Sequence, residues 1–514
     1  MRDLLAHAQD YRGLAGELPI QDFALLRVIL AVLYRAVDAE QAADPLGAWQ
    51  KLWEADELPQ EQIEEYLRRW HDRFDLFHPN APFFQVADLH TAKDGSKGVD
   101  LLMPDSLSDG LFVQRRPTTL TPAEAARWLI TCQAYDCSGI KSGAVGDPRV
   151  SGGRGYPIGV GWAGWMGGIT VTGENLRETL LLNLVLDRPH DSGDRPIWEE
   201  EPLTAMPRSG VVVHGQVALL TWPQRRIRLF HDGEVVTAVL VCNGDPVPYT
   251  TLLNDELMTA WRYSEAQTKK AKHRTVYMPR SFEPGRAVWR GLESLLPVTG
   301  GDSGKPDAAK PAGVLDWSAA LAVNGVLAED RLTTITTVGV QYGPQMASFE
   351  EVLHDELAFD VRLALTQHTQ AKDYVFAAVS RAVAGVAALR HLAGNLAQAA
   401  GGPTDAAQQS AELRGYAELD RPFRDWLRDF RIGADEPGAL QAWTDQARQI
   451  VLSIGREISA SAGTAAWIGR KVKTRQGTEL SMTIGLADRR FRAEVAEKLP
   501  YRPSESTQEA NDRG

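Results

Sequence analysis

YVFAAVSRAVAGVAALRHLAGNLAQAA, residues Tyr374 to Ala400, decides the architecture. Phe376, Val379, Val383, Val386, Leu389, Leu392 and Leu396 recur at steps of three or four, which lays one apolar stripe along an α-helix. A second stripe runs through Leu440, Trp443, Ala447, Ile450, Val451, Ile454 and Ile458. Further helical patterns lie around 406–419, 422–430 and 486–499. Stripes of this kind must be buried against one another, and the packing they predict is a C-terminal bundle of about four helices.

Upstream the pattern is mixed. DFALLRVILAVLYRAVDAEQAA, from Asp22, is apolar on more than one face and predicts a helix buried in a core. PQEQIEEYLRRWHDRFDLF, from Pro59, predicts an amphipathic helix. TPAEAARWLITCQAYD, from Thr121, begins with a cap, a proline and a glutamate three residues on, the signature of a helix start. VVVHGQVALLTW, RRIRLFHDGEVVTAVLV and LTTITTVGVQYG read as strands, with Asp232-Gly233 as a hairpin turn. The fold class is therefore α+β. A large mixed α/β N-terminal globular domain spans 1–365, a C-terminal four-helix bundle spans 366–499, and 500–514 has the composition of a disordered tail.

A net charge of -12 over 514 residues means that the surface as a whole does not attract nucleic acid or an anionic membrane, so any polyanion site must be a local basic patch. Three cysteines, Cys132, Cys137 and Cys242, do not make a disulfide framework and suit a reducing cytoplasm. The N-terminus has no signal-peptide core. No apolar run reads as long enough to span a bilayer, and no membrane partner is expected.

Several motifs carry possible chemistry. GDSG at Gly301–Gly304 matches the surroundings of a protease serine, but it lies in a polar Gly/Pro-rich loop, and Pro306 spoils the same stretch as a phosphate-binding loop. His-Asp pairs at His71-Asp72, His190-Asp191, His231-Asp232 and His354-Asp355 would suit a metal-dependent nuclease or phosphohydrolase, the alternative reading. A polar loop, a hairpin turn and an exposed helix face account for the last three of them, and no second ligand group stands at a recognisable spacing. Better candidates are the basic clusters. Lys269, Lys270, Lys272, His273 and Arg274 form one, Arg225, Arg226 and Arg228 a second, and Arg470, Lys471, Lys473 and Arg475 a third. Beside them stands SGGRGYPIGVGWAGWMGG, Ser151–Gly168, without an acidic side chain. Lysine and arginine neutralise phosphates, and glycine lets main-chain N–H groups approach a nucleic acid closely. The bland reading of GVGWAGWMGG is a tight core crossing with Trp162 and Trp165 as packing residues.

LAGELPIQDFALLRVILAVLYRA, the Gly-rich stretch leading into ITVTGENLRETLLLNLVL, and YGPQMASFEEVLHDEL ahead of a helical bundle resemble the CasA family, the large subunit of the type I-E CRISPR surveillance complex Cascade. The resemblance runs in the same order over essentially the whole chain. It implies a non-enzymatic subunit without cofactor or metal that reads the protospacer-adjacent motif (PAM) of duplex DNA from the minor groove and starts strand separation, while guide RNA supplies sequence specificity. By the family's pattern the glycine loop falls on Gly161, Trp162, Ala163 and Gly164, and the lysine on Lys269, Lys270 or Lys272. A hairpin over Tyr342–Ser348 puts Gln345 in the minor groove and Met346 with Ala347 as the wedge, and such a degenerate groove predicts tolerance of several PAMs.

The resemblance further implies that the Ser138–Tyr156 loop contacts the 5′ handle of the guide RNA, with Lys141, Arg149 and Arg154 toward phosphates. Arg381, Arg390, Arg448, Arg456 and the Arg470, Lys471, Lys473 cluster of the bundle would guide DNA or touch the small subunits. The partners implied are the backbone, small and handle-binding Cascade subunits and a helicase-nuclease. The family's preceding segment with an acidic-Pro-Trp motif is not seen before Met1. Of the family's middle cysteine cluster only Cys242 is retained, so zinc is not expected.

Overall fold

The computed structural model describes residues 1–37, 44–104, 117–188, 191–208, 210, 212–247, 249–250, 252–272, 274–296, 309–328, 331–365, 368–473 and 479–501. The sequence expectations for Ser303 and its loop, for His190, for Arg475 and for nearly all of the 500–514 tail fall outside these residues. The chain divides into two compact units, Met1–Val288 with Ser294–Leu357, and Trp289–Glu293 with Ala358–Gly514. The main segment of the second unit begins at Ala358.

The first unit opens on α1 (Pro19–Ala36), whose buried residues, Phe23, Val28, Ile29, Ala31 and Val32 among them, come from all around the helix, as a two-faced apolar pattern requires. Arg27 is buried within it and forms a bidentate pair with Glu256, at 3.0 and 2.8 Å. α2 (Gln60–Arg69) is amphipathic and packs on α1. α3 (Pro122–Tyr135) starts with the expected capping box: Thr121 accepts from the Glu124 amide, and the Glu124 carboxylate accepts from the Thr121 amide at 2.8 Å.

After α3 come two short paired strands, β1 (Lys141–Ser142) and β2 (Arg154–Gly155). They extend a four-stranded sheet of order β2-β1-β5-β4, where β4 (Arg225–His231) and β5 (Val236–Asn243) form the expected hairpin at Asp232-Gly233. There the Asp232 carboxylate accepts from the amides of Glu234 and Val235, and Gly233 has φ 109°.

A second sheet has the order β10-β9-β3, with β3 (Gly168–Thr172), β9 (Leu332–Tyr342) and β10 (Phe349–Asp360). α4 (Leu176–Leu182) follows β3 with Asn175 as its cap. A third, small sheet joins β6 (Trp261–Tyr263), β7 (Tyr277–Pro279) and β8 (Ala309–Lys310), and α5 (Glu265–Lys270) lies between β6 and β7.

Two sequence expectations need correction here. Among its described residues VVVHGQVALLTW holds a short helix, Gln216–Leu220, and no strand, because Gly215 at φ 157° turns the chain and the Asp194 carboxylate accepts from the amides of Val217 and Ala218. His354-Asp355 lies on β10 and not on a helix.

The second unit contains α6 (Thr369–Ala400), α7 (Thr404–Asp429), α8 (Glu436–Ala460) and α9 (Ile484–Lys498), with a hairpin of β11 (Arg470–Lys473) and β12 (Glu479–Met482) before α9. α6 is the central member, packed on the other three helices. Its buried face is finer-grained than the stripe read from sequence: Val375, Ala378, Ala382, Gly385, Val386 and Leu389 are buried, whereas Phe376 is half-buried and Val383 is 39% exposed. Small residues let neighbours come close, and a Cβ at Gly385 would lie 2.9 Å from Val451 Cγ2. α6 is also longer and more apolar than expected, enough to cross a membrane by length and composition, with half of its most apolar window buried in the unit. Pro422 does not separate two helices but lies inside α7.

An aromatic cluster explains why Trp289–Glu293 belongs to this unit. Trp289 stacks on Phe423 at 4.3 Å and donates to Asp420 at 2.8 Å, while Phe423 meets Trp443 edge-on at 5.1 Å. Trp289 and Trp443 are both fully buried. Burial of such a ring contributes a few kcal/mol each, roughly 25 cal/mol per Å² of apolar surface.

Candidate nucleic-acid interface

β3 is the strand on which three candidate elements meet. The Gly161–Gly164 stretch runs directly into it. Along one edge β3 pairs antiparallel with β9, from Gly168↔Val338 to Thr172↔Thr334, and β9 leads to the hairpin that carries Gln345 and Met346. At its start the Gly167 amide donates to Arg280 O at 2.6 Å and the Ile169 amide to Met258 O at 2.8 Å, which fastens the segments on either side of the lysine-bearing α5.

The hairpin tip is the accessible part of this site. Pro344, Gln345 and Ala347 are exposed and Met346 is half-buried. Gln345 and Met346 have φ 58° and 56°, a left-handed backbone that costs an L-residue roughly 1–2 kcal/mol each. What holds it is local and tertiary bonding. The Met346 amide donates to Gly343 O at 2.9 Å, the Gly343 amide donates to Ser348 O at 2.9 Å, and Met346 O accepts from the Ser138 amide at 2.7 Å. Below the tip the Tyr342 hydroxyl is buried and donates to Tyr135 O at 2.6 Å; burial holds its pKa well above the usual tyrosine value.

The Gly161–Gly164 stretch is placed otherwise than expected. Gly161, Trp162, Ala163 and Gly164 are all buried. A Cβ on Gly161 would overlap the backbone of Ala134 and Tyr135, and one on Gly164 would overlap the Tyr342 hydroxyl. These glycines let the loop lie against the end of α3 and the root of the hairpin. Trp162 donates to Glu256 at 2.7 Å and so joins the buried Arg27 pair, while Trp165 stacks on Tyr249 at 5.4 Å. Both indoles pack. The accessible backbone of Ser151–Gly168 is its first half, where Ser151–Arg154, Tyr156 and Pro157 are exposed.

The basic residues divide sharply. Lys269, Lys270 and Lys272 are exposed on and just after α5, with Lys269 paired to Glu265 at 2.7 Å and Lys272 at φ 53°. Arg225 and Arg226, by contrast, are 1% and 0% exposed. Arg226 pairs with Asp245 at 2.8 Å, and Arg228 lies over the Phe230 ring, so this cluster works inside the fold. In the 138–156 loop, Arg154 is exposed, Arg149 pairs with Asp147 at 2.9 Å, and Lys141 turns inward to Asp136 at 2.8 Å with a tenth of its side chain exposed.

In the bundle, Arg381 is half-buried and donates to Leu440 O and the Thr444 hydroxyl, so it fastens two helices. Arg390 and Arg456 are exposed, the former paired with Glu412 at 3.7 Å, while Arg448 is half-buried and lies over the Tyr501 ring. Arg470 donates to Ala400 O at the carboxy end of α6, Lys471 pairs with Glu479 at 3.6 Å, and Lys473 ends β11.

Sequence reasoning missed Asp136, Arg225 as a structural residue, and Tyr342. The Asp136 carboxylate is buried, which raises its pKa, but Arg225 and Lys141 outweigh this and hold it below the usual carboxylate value. No pattern in the sequence joins residues so far apart in the chain.

Among the described residues no group of three or more His, Cys, Asp or Glu is arranged to hold a metal ion. His71 meets its neighbour Asp72 at 3.2 Å, and His231 stacks on Phe77 at 4.0 Å. Fold and site thus define a class: an α+β chain of two units with a strained, exposed hairpin tip. Residues 1–454 match the family model of CRISPR-associated protein Cse1, and the chain belongs to that family.

It is 31% identical over 319 residues to the CRISPR-associated protein CasA/Cse1 of Thermus thermophilus, a match that spans 58% of this chain and 56% of that relative. The crystal structure of Thermobifida fusca Cse1 is similar at 41% identity and TM-score 0.87, covering 97% of this chain and 94% of that one. A chain of a CRISPR RNA-guided surveillance complex shares the fold at 18% identity and TM-score 0.63, over 90% of this chain and 94% of the other.

Proposed function

We propose that this chain is the non-catalytic large subunit of a type I-E Cascade complex and reads the PAM of duplex DNA from the minor groove. The observation that carries the reading is the tip: an amide side chain and a flexible apolar side chain sit side by side on an exposed hairpin whose backbone is held in a left-handed conformation. An amide suits the donors and acceptors of the minor groove, and an apolar side chain between base steps unstacks them. Met346 fills an uneven gap well. Lys269, Lys270 or Lys272 supplies the groove's lysine, and the buried Gly161–Gly164 stretch supports the tip from behind.

In this reading the 138–156 loop meets the 5′ handle of the guide RNA through Arg154 and Arg149. Arg390, Arg448 and Arg456 face DNA or the small subunits, and the other Cascade subunits and a helicase-nuclease complete the assembly in the cytoplasm. Base pairing by the guide supplies sequence specificity.

The test is a cross-link map. A photoreactive group at Gln345, and separately at Lys270, is placed in the assembled complex with a PAM-containing duplex. Adducts on the PAM base pairs are expected from Gln345 and on PAM-flanking sugar or phosphate from Lys270. Adducts that appear only away from the PAM contradict the assignment.

A further inference from the structure

The end of α3 is bonded to four segments. The Asp136 carboxylate accepts from Lys141 Nζ at 2.8 and 2.9 Å and from Arg225 Nε at 2.5 Å. Its main-chain carbonyl accepts from the Gly161 amide at 3.0 Å. One residue before it, Tyr135 O accepts from the Tyr342 hydroxyl, and two residues after it, the Ser138 amide donates to Met346 O. Lys141 of the 138–156 loop and Met346 of the tip are therefore attached to the same short run, 135–138.

The two cations on Asp136 differ in freedom. Arg225 is 1% exposed, and its guanidinium also donates to Cys137 O at 3.1 Å and Gly159 O at 2.8 Å, so its planar fork is fixed. Lys141 is a point charge on a flexible stem at the start of β1, the strand docked through Ser142↔Cys242 and Lys141↔Gly155. A buried carboxylate that loses one of its cations is strongly disfavoured, so docking of the loop and placement of 135–138 support each other.

We infer that Asp136 is a positioning residue for the tip, and that its pair with Lys141 couples the 138–156 loop to residues 343–348, so that an RNA strand bound on the loop steadies the tip. This rests on the reading above that the loop holds guide RNA. Because coupling is reciprocal, a tip engaged with DNA also tightens the loop's hold on RNA.

Amide hydrogen exchange on the full chain tests it, with a synthetic oligoribonucleotide carrying the guide 5′ handle as the probe. In the unaltered chain, RNA slows exchange in 138–156 and, by roughly fivefold or more, at the amides of 343–348, the low end of ordinary coupling. Lys141→Met keeps the slowing in the loop and loses it at the tip, and Lys141→Arg restores both. Lys141→Gln serves as a second neutral variant should the methionine not fold. Slowing at the tip that is equal in the neutral variants, or a loop that slows while the tip of the unaltered chain does not, overturns the coupling. If RNA slows neither segment, the RNA reading of the loop fails and the inference falls with it.

Discussion

At the residue scale, two glycine populations in one stretch make opposite demands. Gly161 is glycine because the α3 backbone leaves no room for a Cβ, whereas Gly153, at φ 73° with open space around it, is glycine only for its backbone angle. Gly161→Ala is expected to cost about 1–3 kcal/mol in chemical denaturation, the usual range for overpacking. Gly153→Ala is expected to cost about 1 kcal/mol.

Charge gives two further residue-scale predictions of opposite sign. Asp136 has a depressed pKa in the folded chain, so its contribution to stability is fully present above the ordinary carboxylate value of 3.8 and is lost as pH falls below it. Asp136→Asn leaves Arg225 buried beside a neutral partner and is expected to cost about 3–5 kcal/mol at pH 7, with the difference from the unaltered chain shrinking in acid. Asp255 is the reverse case: burial, then Asp194, Glu256 and Asp191, raise its pKa to about 6. Its ionisation therefore weakens the fold as pH rises through about 6. Asp255→Asn is expected to raise the melting temperature at pH 7.5, by about 1 kcal/mol of stability once its partial exposure is discounted, and to have little effect at pH 4.

At the element scale the hairpin tip and the bundle helices show what was legible. The capping box at Thr121, the Asp232-Gly233 turn and the apolar stripes were readable because local chemistry fixes them within a few residues. The short helix at Gln216–Leu220 was not, since its start depends on Asp194, distant in sequence, accepting from two of its amides. Nor was α7 readable as one helix through Pro422, because tertiary packing of Phe423 between Trp289 and Trp443 overrides a local penalty of about 3 kcal/mol. The same bundle predicts a sharp sensitivity. A Cβ on Gly455 would overlap the Phe491 ring, so Gly455→Ala is expected to destabilise the second unit by about 1–3 kcal/mol in a denaturant melt followed by tryptophan fluorescence.

At the scale of the whole molecule, a net charge of -12 is reconciled with the proposed DNA reading only if a few exposed cations do the phosphate work. The α+β class and the bundle were legible from periodicity, and the candidate site was legible as a set of segments through the family resemblance. Its geometry was not. Lys141, Arg225 and Trp162 carry chemistry suited to nucleic acid, and what turns them inward is burial against Asp136 and Glu256, which sequence cannot report. The outward set, Lys269, Lys270 and Lys272, predicts a shallow salt dependence. Lys270→Ala in the assembled complex should reduce the slope of log K against log salt by about 1 while leaving sequence preference unchanged.

The central claim is that Gln345 and Met346 open duplex DNA with their side chains. The left-handed angles at both positions supply an unusually clean test, because Gln345→Gly with Met346→Gly suits the backbone better than the native residues do. R-loop yield on a PAM-containing duplex is measured for complexes assembled with the double variant. The account predicts normal assembly on guide RNA, a stable fold and at least a tenfold loss of R-loop yield, about 1.4 kcal/mol or more. Unchanged yield would contradict it.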